Sequence, residues 1–114
     1  MKLTEVVELL NAKVITGADK LDREVKYGFA SDLLSDVLTT NSDYLMLLTG
    51  MSNLQAIRTA EMAEIQCIAF VRDKKMNKDM IELASENNLV TLESPFSMFR
   101  AVAILHENGL KHVY

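Results

Sequence analysis

The chain predicts a three-layer α/β fold with a mainly parallel sheet, on three observations. Apolar runs of strand length, Tyr44 to Leu48, Cys67 to Val71 and Leu89 to Leu92, recur at nearly even spacing. The first two are continuous rather than alternating, as in strands covered on both faces, and the third is interrupted only by Thr91. Each is followed by a polar turn and a helical segment, and strand–helix–strand units of this kind pair their strands in parallel through right-handed crossovers. A chain of 114 residues supports one core, so residues 1–114 are expected to form a single domain.

Taken in order, Thr4 is placed to cap a helix over 5–11 whose apolar face is Leu3, Val6, Val7 and Leu10, with Asn11 as its stop. Lys13 to Thr16 is a short strand ended by Gly17, and a polar connection leads to a second strand near 24–30. These two strands lie beside each other or at a sheet edge. From Gly28 to Leu38 an alternating apolar run gives way to a helix over 31–38, with Ser31 as its cap and Asp32 as a negative charge at the positive end of its dipole. The polar cluster Thr39 to Asp43 then enters the first continuous apolar strand.

Ser52 and Gln55 have the spacing of a capping box, which starts a helix over 53–64. Its Ala56, Ala60 and Ala63 allow close approach to a sheet or another subunit, whereas Glu61, on the side of Leu54 and Ile57, needs an edge or a partner. Asn77 caps a helix over 78–87 that Asn87-Asn88 closes. Ser94 as cap, with Pro95 at the first helical position, starts a last helix that runs to 108, and Gly109 is its C-terminal signal.

Composition narrows the function. Hydrophobic residues are 49% and charged residues 25%, which is globular rather than disordered composition. Net charge is −4 and the lysines and arginines are scattered, so no basic stripe favours nucleic acid as a partner. No apolar run is long enough to span a bilayer, the first residues lack the core of a signal peptide, and the one cysteine, Cys67, sits in an apolar run. A cytoplasmic protein without a membrane partner, disulfide or metal centre is expected.

In open parallel sheets, ligands bind beyond the carboxyl ends of the strands, near a topological switch point. The residues expected there are Ser31 and Asp32, Thr49 to Asn53, Arg72 and Asp73, and Glu93 and Ser94. Within Thr49-Gly50-Met51-Ser52-Asn53, a glycine turn feeding a capped helix offers free N–H groups to a small anion. The plainer account is that Gly50 only turns the chain and Ser52 only caps, since every helix start has such groups and no Walker lysine is present. Asp32 and Asp36 have the spacing of paired carboxylates, but a dipole-favoured and a solvated aspartate explain them better, since no histidine or further acid is fixed nearby by sequence. Asp19, Asp22 and Glu24 lack an EF-hand's glycine and closing glutamate and read as a solvated turn. His106 falls with Phe99, Val102 and Ala103 on what reads as the apolar face of the last helix, and a partly buried, satisfied histidine is expected there; His112 sits in the tail. Neither histidine assembles into a catalytic triad, and Cys67 is too shielded to be a nucleophile. No catalytic residue and no cofactor is assigned. Exposed apolar faces on so small a domain favour a homodimer.

The run Gly28-Phe29-Ala30-Ser31-Asp32-Leu33-Leu34-Ser35-Asp36-Val37 resembles the signature of small stand-alone proteins of the DRTGG domain family. Leu21 to Val25 before it and Leu47-Leu48-Thr49-Gly50 after it extend the resemblance over nearly the whole chain. The resemblance implies an α/β fold similar to the N-terminal domain of HPr kinase/phosphorylase, without that enzyme's kinase domain, and a regulatory or dimerising role. The family's naming motif should follow the strand ending at Val71, where this chain reads Arg72-Asp73-Lys74-Lys75 without the glycine pair. The function expected is a non-catalytic regulatory module that binds a small anionic metabolite or nucleotide and acts as a dimer or through a partner protein. The alternatives are a protein-interaction domain without a ligand and, with least support, an enzyme or phosphotransfer accessory using Asp32 or Ser52.

Overall fold

A computed structural model of the chain describes residues 1–40 and 43–114. Along it run α1 (Leu3–Leu9), β1 (Lys13–Thr16), a 3-10 turn (Ala18–Lys20), β2 (Tyr27–Ala30), α2 (Leu34–Val37), β3 (Leu45–Thr49), α3 (Leu54–Met62), β4 (Cys67–Phe70), α4 (Lys78–Glu86), β5 (Val90–Glu93), α5 (Met98–Glu107) and β6 (Lys111–His112). The six strands form one sheet in the order β1-β5-β4-β3-β2-β6, parallel throughout except for β1, which is antiparallel to β5.

The apolar runs are central because both of their faces are covered. Met46 and Leu48 of β3, Cys67 and Ala69 of β4 and Val90 and Leu92 of β5 enter one core with Leu3, Val6 and Leu10 from the α1 segment and Ala101 and Leu105 of α5. Leu45, Leu47, Ile68 and Phe70 point the other way, into a second core with Val37, Ile57, Ala60, Met80 and Ala84 from α2, α3 and α4. This is the expected three-layer α/β architecture with a mainly parallel sheet. Ala56 and Ala60 are fully buried, so the small residues of α3 serve close packing in this core. Glu61 reaches the surface, where it accepts a hydrogen bond from Asn87 Nδ2 at 3.0 Å.

Several local expectations are corrected by tertiary contacts. β1 lies at a sheet edge but pairs with β5 rather than β2. The helix expected over 31–38 shrinks to one turn, α2, whose N-cap position is Leu33 without a side-chain cap. Ser31 instead accepts from Leu33 N at 3.0 Å in a tight turn before the helix. Thr4 lies inside α1, which starts at Leu3 without a side-chain cap. Asn53, not Ser52, caps α3 by accepting from Ala56 N at 3.0 Å, and Asn77 caps α4 in the same way from Met80 N at 3.0 Å, as expected. α5 starts three residues later than Ser94-Pro95 suggests and is capped by Ser97. Ser94 is pulled inward, donating to Leu10 O at 2.7 Å from a buried position. β6 escapes sequence reading because two residues carry no periodicity; it is parallel to β2, pairing Tyr27 with Lys111 and Gly28 with His112. The expected connection Thr39 to Asp43 includes Asn41 and Ser42, which fall outside the described residues.

The buried face of α5 is also not the one expected. Ala101 and Leu105 are buried, whereas Phe99 is 86% exposed and Val102, Ala103 and His106 are exposed beside it. A five-residue stretch of mostly apolar residues leaves the helix phase ambiguous, and packing on β2 and β3 selects the Ala101–Leu105 side.

Candidate functional site

The parallel register brings the carboxyl ends of β2, β3 and β4 level, since Ala30 pairs with Leu48 and Thr49 with Phe70. The residues just past these ends, Asp32, Gly50 and Arg72, therefore meet. Asp32 Oδ1 accepts the backbone N–H of Gly50 at 2.7 Å and the hydroxyl of Thr49 at 3.2 Å, while Arg72 Nη2 donates to Asp32 Oδ2 at 3.1 Å. Thr49 Oγ1 in turn accepts from Met51 N at 3.1 Å. Four of the residues expected from sequence thus form one cluster. An N–H, a hydroxyl and a guanidinium are the donors with which proteins hold carboxylates and phosphates, and here they hold the chain's own carboxylate.

Gly50 lets the Arg72 side chain lie close. A Cβ on it would lie 2.1 Å from Arg72 Nη2, so the guanidinium rests against bare backbone. The ion pair itself is open to water, with side-chain exposures of 48% for Arg72 and 41% for Asp32. An exposed pair of this kind contributes about 0–1 kcal/mol, so it is easily opened.

Arg72 and Asp73 both take left-handed backbone conformations, with φ of 60° and 58°. Glycine adopts this region freely, and other residues pay roughly 1–2 kcal/mol each. The turn therefore keeps the backbone course that a glycine pair permits, although no glycine is present. It is held by Arg72 N donating to Phe96 O at 2.7 Å and Asp73 N to Ser94 O at 3.0 Å. These bonds also occupy the topological switch point: β4 leads to α4 on one face of the sheet and β5 to α5 on the other, so the crevice between β4 and β5 is closed by backbone.

The other expected residues are committed elsewhere. Ser52 Oγ donates to Lys75 O, and Asn53 caps α3. Asp73 pairs with Lys75 at 3.0 Å, which raises the lysine's pKa above its usual value. Lys75 was not singled out in the sequence, where it is one of two adjacent surface cations; it becomes relevant only because Glu93 lies 3.8 Å away. Glu93 is buried and accepts Met76 N at 2.8 Å, which fastens the start of the α4 segment to β5. Glu93→Ala leaves that buried N–H without a partner and is expected to lower stability by about 2 kcal/mol, against less than about 1 kcal/mol for Glu93→Gln, which still accepts. Urea unfolding of the two variants measures the difference.

Asp36 is exposed on α2 and does not join the cluster. Asp19 is held by Lys20 at 3.1 Å, and that hydrogen bond keeps its carboxyl below the usual value. Among the described residues no three His, Cys, Asp or Glu side chains come together as a metal site. Nor is any helix among them long and apolar enough to cross a membrane. His106 and His112 stack at 6.4 Å between ring centroids on the exposed side of α5. Cys67 is fully buried, and burial pushes its thiol up to about 12. Because the unfolded thiol ionises near its usual 9.0 while the native one stays protonated, stability tied to this group is complete below pH 9 and falls as pH rises toward 12. The native protein is accordingly expected to resist iodoacetamide at pH 8 and to react once unfolded, which mass spectrometry reads directly.

Two cavities lie away from the cluster. One of about 220 Å³ is polar and is bounded by Arg23, Glu61, Glu64 and Asn87 near the opposite ends of β4 and β5. The other, about 110 Å³, is a mainly apolar groove between α5 and the β2–β6 edge, bounded by Gly28, Leu48, Val102, Leu105 and Leu110, with His106 and His112 beside it.

No protein-family model matches the chain. No curated protein sequence matches it either. Its fold is similar to a solved structure of the CBS and DRTGG domains of the regulatory region of Clostridium perfringens pyrophosphatase, complexed with the activator diadenosine tetraphosphate. The TM-score is 0.71 at 13% identity, over 91% of this chain and 45% of that one. The chain thus spans less than half the length of that solved region, and at this identity the likeness is one of fold.

Proposed function

We propose that this chain is a non-catalytic regulatory domain of the DRTGG type, related to the N-terminal domain of HPr kinase/phosphorylase, which senses a small anionic ligand at Asp32, Thr49, Gly50 and Arg72. A nucleotide polyphosphate is the favoured class. The observation that carries this reading is the Asp32 carboxylate itself, which sits among the donors a phosphate would use. A phosphate taking the Arg72 guanidinium and the Gly50 N–H displaces Asp32 and frees the β2–α2 connection, and occupancy is thereby passed to a second copy or to a partner protein in the cytoplasm. The exposed, weak ion pair makes that exchange inexpensive. The activator bound in the pyrophosphatase regulatory region, a dinucleotide polyphosphate, supports the ligand class.

The test is thermal unfolding at known oligomeric state with ATP, ADP, diadenosine tetraphosphate, pyrophosphate and acetyl phosphate. A ligand at 100 times its Kd adds about 2.7 kcal/mol to native stability. A shift that Arg72→Ala removes supports the reading. No shift with any compound, in the natural chain or in Asp32→Ala, overturns it in favour of a protein-interaction domain without a small ligand, in which the Asp32–Arg72 pair only ties two loops together.

A further inference from the structure

α5 carries charges in the reverse of the order its own dipole favours. Arg100 stands in the first turn and Glu107 at the last position, whereas a helix favours acids at its start and bases at its end. The two lie one heptad apart and so project to the same flank. Beside them runs the exposed row Phe99, Val102, Ala103 and His106, in which Phe99 is 86% exposed. Phe99 and His106 are also one heptad apart, and His106 stands beside the apolar groove of about 110 Å³ that Val102, Leu105 and Leu110 border.

One helix therefore presents a projecting ring, a recess one heptad further on, a small residue, Ala103, near the midpoint, and opposite charges on one flank. A two-fold axis through that midpoint superimposes each feature on its complement. Antiparallel pairing sets the same flanks of two helices against each other, so Arg100 meets a carboxylate and Phe99 meets a recess, twice over. We infer that a second copy of this chain packs antiparallel on α5, each Phe99 entering the groove beside the partner's His106 and each Arg100 facing the partner's Glu107. Two self-complementary contacts, one of charge and one of shape, favour a copy of this chain over a different partner. The Arg100 guanidinium lies 3.8 Å from the centre of the Phe96 ring. This deepens the dimer part of the function proposed above and is independent of its ligand part.

The test is sedimentation velocity on the natural chain, Phe99→Glu, Arg100→Glu, Glu107→Arg and the double variant Arg100→Glu/Glu107→Arg. Every changed side chain is exposed, so unfolding temperatures of the monomers should hold, and the single charge changes, which suit the dipole, should not lower them. Each single variant is expected to raise the dimer dissociation constant at least tenfold, or about 1.4 kcal/mol. The double variant, which exchanges the charges and keeps them paired, should recover to within about threefold of the natural chain. A dimer indifferent to all four variants, or one weakened by the single charge variants and not rescued by the double, overturns this interface while leaving dimerisation standing. A monomeric natural chain overturns both, and a missing ligand response overturns neither.

Discussion

Asp32→Ala is expected to bind a nucleotide polyphosphate about tenfold more tightly than the natural chain, and Arg72→Ala to lose detectable binding. The two residues are hydrogen-bonded to each other, so a purely structural pair would give both variants the same sign. On the proposed exchange their signs differ. Asp32 competes with the ligand for the Gly50 N–H and the Arg72 guanidinium and repels its charge, whereas Arg72 supplies the cation. Displacing Asp32 gives up an exposed ion pair of about 0–1 kcal/mol, a Gly50 N–H bond to a charged acceptor of at most about 3 kcal/mol and the longer bond from the Thr49 hydroxyl, part of which water returns at this half-exposed site. A net advantage near 1.4 kcal/mol for the variant lacking the carboxylate is a factor of ten. Asp32→Ala itself should be less stable by about 1 kcal/mol without ligand, because three donors then turn to water. Calorimetric titration with the best nucleotide from the thermal screen reads both variants. Loss of binding in both would make Asp32 a positioning residue for Arg72 and end the displacement mechanism.

Gly17→Ala should lower stability by about 3 kcal/mol, a drop of roughly 10–20 °C in Tm for a chain of this size. Two separate penalties add at this position. Gly17 has φ of 79°, a conformation that costs an L-residue about 1–2 kcal/mol. A Cβ there would stand 2.7 Å from Val90 Cγ2 and 3.0 Å from Val90 Cα, and the backbone atom cannot move aside without shifting β5, an overpacking penalty of about 1–3 kcal/mol. Thr16, the preceding residue, fixes this approach by donating to Leu89 O at 2.8 Å and sharing a hydrogen bond of 2.7 Å with Thr91 Oγ1. Gly109 separates the two penalties. Its φ is 108°, yet a Cβ there meets nothing within 4 Å, so Gly109→Ala should cost only the conformational share, about 1–2 kcal/mol. Equal Tm losses in the two variants would mean that the β1–β5 contact yields and packing at Gly17 does not matter.

Single residues show where sequence was a sufficient guide. Leu45 to Leu48 and Cys67 to Phe70 had to be buried on both faces, because no alternating pattern offers a polar side to water, and buried they are. Asn77 is the cap its position promised, and Gly109 ends α5, since both act on neighbours in the chain. Asp32, Thr49, Gly50 and Arg72 each stand at a strand end by local turns alone, and parallel register does the rest.

Most of what failed to read from sequence depends on partners distant along the chain. Ser31, Ser52 and Ser94 each look like helix caps, and each is drawn instead into another hydrogen bond: a local turn, Lys75 O and Leu10 O. The rotation of α5 could not be read because both Phe99–Val102 and Ala101–Leu105 are apolar, and β2 and β3 choose between them. β6 exists because Leu110 packs against Gly28, where a Cβ would come within 2.7 Å of Leu110 Cδ2, and so lays Lys111 along β2. By itself the sequence determined the longer strands and helices and that the sheet is mainly parallel, because periodicity, caps and turns act over a few residues. Only the tertiary structure decided that Asp32 fills the cradle made by Gly50 and Arg72, and which face of α5 stays open. Those outcomes are competitions among donors, acceptors and apolar faces that the chain brings together only when folded.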